Sequence, residues 1–332
     1  MFRGWLMPSQ SYHVTTAQEG ITIAAWLRTH LSDRSWTQVR RVVETRRVRV
    51  GGDLCLDPAR RLHEGEVVEL LAVPAPVARQ QEAIRIRHLD QHLVVVEKPS
   101  GISTVRHPSE RDWNARRKAL SPTLEDLVPP LIAREERRRR KGPLPRLRVV
   151  HRLDKETSGL VVFARSVVAE RGLGKQFHAH TITRRYLAVV PGTVAPQRIE
   201  SFLVRDRGDG RRGSTTNVAL AKPAVTHVDV VEELGDYALL WCRLETGRTH
   251  QIRIHLAELG YPVCGEKVYS RKPDGEVRKD TSGAPRLALH AAELGFEHPV
   301  TGEQLFWSMP LPADLQTFVE RLRSGVEASD AD

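Results

Sequence analysis

The chain has 332 residues, a length that suits two or three domains, and at 40% hydrophobic it can build a sizeable core. Its 51 Lys and Arg against 41 Asp and Glu leave a net charge of +10, which points to a polyanion partner, nucleic acid before membrane, although a merely soluble basic protein shows the same balance. No run is long enough to span a membrane, MFRGWLMPSQ is too short and broken for a signal peptide, and Cys55, Cys242 and Cys264 form no CxxC or disulfide framework, so a reducing cytoplasm is expected.

Residues 13–73 read as a small nucleic-acid-binding module. Ile21, Ile23, Ala24, Leu27 and Leu31 fall on one helical stripe. Ser35 is placed to cap a second helix, TQVRRVVE, with Val39, Val42 and Val43 inward and Arg40 and Arg41 outward. RRVRVGG alternates charge with valine and ends in a Gly-Gly turn, an edge strand entering a hairpin. LHEGEVVELL supplies the last strand pair. This order resembles the S4 RNA-binding domain, with Arg46 and Gly51 standing where that family usually has Gly and Asn. The resemblance implies a basic face of Arg40, Arg41, Arg46, Arg47 and Arg49 presented to phosphates; the plain alternative is a solvated helix face.

Residues 74–86 carry two prolines and little periodicity and read as a linker. LVVVEK is a buried strand, and KPSGIS a Pro-Gly turn that exposes Lys98. Residues 109–148 are irregular. Within them TLEDLVPPLI is a short helix stopped by Pro129 and Pro130. The run from Arg137 to Lys141 is either a solvated segment or an arm that touches phosphate.

HRLDKETSGLVVFARS, residues 151–166, joins a polar turn to an apolar, β-branched strand. Asp154 sits on that turn, between Arg152 and Lys155, at the lip of a core strand. A rigid scaffold holding a loop is where catalytic side chains gather, and a carboxylate without a metal serves as nucleophile or base. An aspartate that merely caps the turn through Thr157 or Ser158 fits the same local pattern. A helical stretch, AERGLGKQFHAHTI, and a strand, TRRYLAVVPG, follow; then a hairpin over 198–225 and the strands AVTHVDVVEEL and YALLWCRLE.

In LETGRTHQIRIHLAELGYPVCGEKVYS, residues 244–270, Thr249 is an N-cap and Gly260 with Pro262 ends the helix. Ile252, Leu256 and Leu259 form its stripe, and Arg248 lies just ahead of it. His250 and His255 would stand about 140° apart on a helix and on opposite faces of a strand, so no shared metal is expected. Residues 321–332, with the acidic EASDAD, read as a disordered tail.

HRLDKETSGL resembles the active-site motif HRLDxxTSGL of the RluA-type pseudouridine synthases. LVVVEKPSGISTVRHPS resembles that family's xxKPxGxxxHP segment, and TRRYLAVVPG its KxYLAxVxG strand. GRTHQIRIHLAELGYPVCGEKVY resembles GRTHQIRVHLxxLGxPxxGDxxY, with Glu266 for Asp and Tyr261 for His. The resemblance covers about residues 87–320 in family order. It implies an α+β catalytic domain of the pseudouridine synthase fold, a mixed, largely antiparallel sheet with flanking helices behind the S4-like α/β module. It implies that Asp154 is the catalytic aspartate, that Tyr186 packs near the target base and helps remove its proton, that Arg248 pairs with Asp154, and that Arg152 fills the space left by a flipped uridine. Lys98 would pack beneath the site or partner a phosphate or carboxylate. The expected partner is RNA, ribosomal before transfer RNA, met by a monomer without cofactor or metal. A catalytically silent RNA chaperone or ribosome-assembly factor shares the charge and the module but has no use for the Asp154, Tyr186 and Arg248 set. A glycosidase would usually present two facing carboxylates.

Overall fold

A computed structural model describes residues 10–51, 53–75, 84–136, 143–207, 212–269 and 280–325. The chain divides into two compact units, Met1–Arg79 with His107–Pro122, and Gln80–Arg106 with Thr123–Asp332. The segment His107–Pro122 thus groups with the first unit, whereas the sequence reading placed it in the catalytic domain. The Arg-rich run at 137–141 and most of the expected linker lie outside the described residues.

In the first unit, strands β1 (Gln10–His13), β2 (Val48–Val50), β3 (Asp53–Leu54) and β4 (Val67–Leu70) form an antiparallel sheet in the order β1-β4-β2-β3. Helices α1 (Ile23–His30) and α2 (Trp36–Glu44) bury Ile23, Trp26, Leu27, Val39, Val42 and Val43 with Val48, Val50 and Val68. Ser35 caps α2 as expected, in a reciprocal box with Gln38. Arg46 ends the helix in a left-handed conformation, φ 66°, which glycine adopts without a steric cost. Its guanidinium donates to the Ala75 and Leu120 carbonyls, contacts a glycine could not make. The same unit includes α3 (Ala115–Leu120), capped by Asn114.

In the second unit the strands are β5 (Arg85–Leu89), β6 (Leu93–Lys98), β7 (Arg148–Val149), β8 (Ser158–Ala164), β9 (Thr183–Pro191), β10 (Gln197–Val204), β11 (Gly213–Ser214), β12 (Lys222–Leu234), β13 (Tyr237–Leu244), β14 (Leu289–Glu297) and β15 (Gln304–Ser308). The main path runs β11-β10-β12-β13-β9-β14-β8-β6-β5, with β15 on β14 and β7 on β8. Among these pairs β14 and β8 are parallel and the rest antiparallel, so the sheet is mixed and largely antiparallel. Helices α4 (Leu124–Glu135), α5 (Val167–His178), α6 (Gln251–Glu258) and α7 (Ala313–Arg323) flank it.

Strands β6 and β8 are buried at every position because both faces are covered. Val94, Val96, Val161 and Phe163 share a core with Val128 and Ile132 of α4; Leu93, Val95, Leu160 and Val162 pack with Ala169 and Leu173 of α5. Gly159 opens β8 where a Cβ would stand 2.2 Å from the Ala291 carbonyl oxygen of β14, so the glycine of the HRLD motif is needed for close strand approach. Two expectations fail here. Pro129 and Pro130 lie inside α4, which runs on to Glu135; the burial of Leu124, Val128, Pro129 and Ile132 outweighs the lost backbone bonds. Residues 321–323 are not tail: α7 continues through them to its cap at Ser324, burying Leu322 and pairing Arg323 with Glu232. EASDAD lies outside the described residues.

Candidate active site

Asp154 stands on the loop between β7 and β8, and the KPSGIS turn holds that loop from beneath. The Thr104 hydroxyl accepts from the Leu153 N–H at 3.0 Å and donates to the Leu153 carbonyl at 2.8 Å. The Gly101 N–H donates to the Lys155 carbonyl at 2.8 Å, and the Ser100 hydroxyl to the Glu156 carbonyl at 2.6 Å. Lys98 is not exposed. Its strand pairs it with Gly159, and the loop covers it completely, at 0% exposure. Its ammonium donates to the Pro99 and Lys155 carbonyls, both at 3.0 Å. Burial pushes its pKa down to about 7 against the opposing pull of Glu156 and Asp154. His151 secures the near end of the loop: its Nε2 accepts the Val162 N–H at 3.0 Å, and its ring stacks on Phe177. Burial, then the Arg184 charge, push its pKa down to about 3, so it is a neutral latch.

Across the cavity, α6 begins at Gln251 and not after a Thr249 cap. His250 is the N-cap, in a left-handed conformation at φ 60°, and Gln251 secures the turn by accepting from the Thr246 hydroxyl and the Arg248 N–H. The turn carries His250 towards Asp154, with Nε2 3.8 Å from Oδ1, while Nδ1 lies 2.7 Å from the Tyr269 hydroxyl. Burial lowers the His250 pKa to about 4, although Asp154 pulls the other way. Arg253, 5% exposed, holds Glu266 through two bonds of 2.6 and 2.7 Å. Burial opposes its charge, but Glu266, with Asp154 adding to it, keeps its pKa above the ordinary value.

The cavity between these walls, about 650 Å³, is lined by Arg152, Asp154, Arg184, Tyr186, Lys222, Arg248, His250 and Arg253 among others. Asp154, Tyr186, Arg248 and Arg152 are therefore brought together as expected. The expected Arg248–Asp154 pairing is not what forms: the Arg248 guanidinium donates to the Pro223 carbonyl at 3.1 Å, and the cation that bears on Asp154 from α6 is Arg253. Tyr186 is 8% exposed, and burial pushes its pKa to about 12, so its hydroxyl stays protonated through the neutral range. Sequence reasoning missed Arg184, His250, Arg253, Glu266 and Tyr269. All five stand inside quoted motifs, Arg184 in TRRYLAVVPG and the others in GRTHQIRIHLAELGYPVCGEKVY, and α6, which carries Arg253, is buried nearly all round, so no amphipathic stripe ranks it. Leu259, expected on that stripe, is 38% exposed.

In the first unit Arg40 and Arg41 are exposed on α2. The Arg46 and Arg47 side chains donate to backbone carbonyls, and Arg49 lies 3.8 Å from Glu69, so these three are engaged within their own unit. Among the described residues no cluster of three His, Cys, Asp or Glu could hold a metal, and no helix is long and apolar enough to cross a membrane. His255 bonds Ser201 and Thr226, apart from the His250 contacts.

A family model described as RNA pseudouridylate synthase matches residues 92–258. The chain is 38% identical to the ribosomal large subunit pseudouridine synthase D of Nitrosomonas europaea, covering 74% of this chain and 68% of that one. It is 36% identical to an uncharacterized RNA pseudouridine synthase of Bacillus subtilis, covering 92% and 95%. Its fold is similar to that of the human RNA pseudouridylate synthase domain containing 4, with a TM-score of 0.56 at 25% identity over 72% of this chain and 92% of that one.

Proposed function

Because the chain belongs to the RNA pseudouridylate synthase family, we propose that it isomerises specific uridines of large-subunit ribosomal RNA to pseudouridine, with Asp154 as the nucleophile. The observation that carries the reading is the charge pattern of the cavity. Among the described residues that line it Asp154 is the one carboxylate, set against Arg152, Arg184, Lys222, Arg248 and Arg253. Such a wall receives a polyanion, and a single fixed carboxylate is what the chemistry asks of it. The glycosidic C–N bond breaks, the base turns, and C5 bonds to the sugar, with no net redox change.

The target nucleotide leaves its stack to reach Asp154, and Arg152, exposed at the mouth of the site, takes the vacated space. Asp154 meets the ribose or the base. Tyr186, with its proton in place, packs against the base as a neutral hydrogen-bonding hydroxyl and is not itself the base; the C5 proton passes to solvent and N1 gains a proton in exchange. The first unit acts as an S4-like RNA-binding module through Arg40 and Arg41 and adds affinity but no chemistry. The enzyme works as a cytoplasmic monomer without a metal.

Mapping pseudouridine in ribosomal and transfer RNA from cells with and without this protein tests the target. Loss of discrete large-subunit sites is expected, restored by the wild-type gene. Loss confined to transfer RNA would move the substrate, and an unchanged map would favour a silent RNA-binding role.

A further inference from the structure

Arg184 is a buried cation of the cavity wall to which the proposed chemistry gives no individual role. It lies on β9, two residues before Tyr186, and is 8% exposed. Its Nη2 donates to the Glu245 carbonyl at 3.1 Å, and its Nε is buried with no hydrogen-bond partner. The Phe177 ring lies 5.5 Å from its Cζ. No carboxylate is among the groups that stabilise its charge, and burial lowers its pKa. Gly247 makes room for it: a Cβ there would stand 2.7 Å from Nη1. An arginine this buried normally has a carboxylate or phosphate beside it, because an unpaired buried charge is costly. Arg253, in the same cavity, has Glu266 as its partner. A neutral uracil carbonyl would supply a hydrogen bond but no countercharge.

We propose that Arg184 is the phosphate-binding residue of the cavity, receiving the phosphate of the nucleotide whose uridine enters beside Asp154. The proposal rests on the cavity being the nucleotide site argued above. The guanidinium fork matches phosphate oxygens, and Gly247 keeps it within reach of the cavity. Arg184 thus fixes the sugar-phosphate so that the glycosidic bond faces the carboxylate.

The test compares binding of uridine, uridine 5′-monophosphate and uridine 3′-monophosphate to the full chain by ligand-observed NMR. Wild-type protein should bind one of the two nucleotides about tenfold or more tighter than uridine, a factor of the size expected for one charge-assisted contact; whichever is preferred identifies the side of the sugar on which the phosphate sits. In Arg184→Gln that preference should fall to near unity while uridine affinity is unchanged. Arg184→Lys should keep part of it. Gly247→Ala, which pushes the guanidinium aside without removing it, should reduce it as well. A nucleotide preference that survives in Arg184→Gln, or no preference in wild type, overturns the assignment. Pseudouridine formation, followed separately, keeps the two readings apart: a phosphate preference without isomerisation would leave this site standing and sink the proposed reaction.

Discussion

Burial of imidazoles gives the folded chain a definite acid response. His151 titrates at about 3, and His250, His255 and His290 at about 4, against 6.5 for an ordinary histidine. The unfolded chain therefore binds more protons below pH 6.5, and stability contributed by these groups is lost as the pH falls from 6.5 towards 4. Thermal melts between pH 7 and 4 should show a falling melting temperature, with a smaller fall in His151→Gln; an identical fall in that variant would contradict the assignment of His151. The two arginines of GRTHQIR separate by the same kind of argument. Arg253→Ala leaves Glu266 charged and unpaired in the interior and should cost about 3–5 kcal/mol in denaturant unfolding. Arg248→Ala removes an exposed contact to the Pro223 carbonyl and should cost about 1 kcal/mol or less. Equal losses would refute this division. Asp154 was legible through the resemblance of HRLDKETSGL to HRLDxxTSGL, because a polar turn at a buried strand suits a capping aspartate equally well, whereas nothing local tells which of the two arginines turns inward.

Between elements, the KPSGIS turn and the HRLD loop act as one piece. Beside the backbone bond from Gly101 to Lys155, their link is made of side chains donating to, or accepting from, the other segment's backbone, which residue patterns do not display: Lys98 read as exposed and is fully covered. Thr104→Val keeps the shape and leaves the buried Leu153 N–H and carbonyl without their partner. Each lost bond is worth roughly 1–3 kcal/mol when a buried group is left unsatisfied. The variant should melt lower and turn over more slowly, with RNA affinity near wild type. Unchanged turnover in the folded fraction would show that the turn does not position Asp154. Strands β6, β8, β9, β12 and β13 were readable from apolar runs and alternation, whereas β1 was not and β5 begins inside the expected linker; α5 was read as a helical stretch with shifted ends. Helix α4 was misjudged because its core contacts, unlike its prolines, are not visible locally.

Over the whole chain the net charge is +10, and its basic groups include a cationic cavity in the second unit and an exposed pair on α2 of the first. Arg40→Ala with Arg41→Ala should leave the first unit folded, since neither side chain is buried. If both meet phosphate, RNA affinity falls and the log K against log salt slope becomes shallower by about 1.4–1.8; an unchanged slope would remove that face from the RNA contacts. The catalytic segments were readable in chain order, but the grouping of His107–Pro122 with the first unit was not, because that affinity depends on tertiary contacts such as Arg117 with Asp57. If Asp154 performs the isomerisation, its carboxylate is indispensable. Asn nearly matches Asp in size and keeps turn hydrogen bonding, but it cannot serve as a carboxylate nucleophile. Tritium release from RNA labelled at uridine C5, measured beside binding and melting, tests the claim directly. Wild-type protein should release tritium, while Asp154→Asn should fold, bind RNA about as well and release none; comparable release from Asp154→Asn would contradict it.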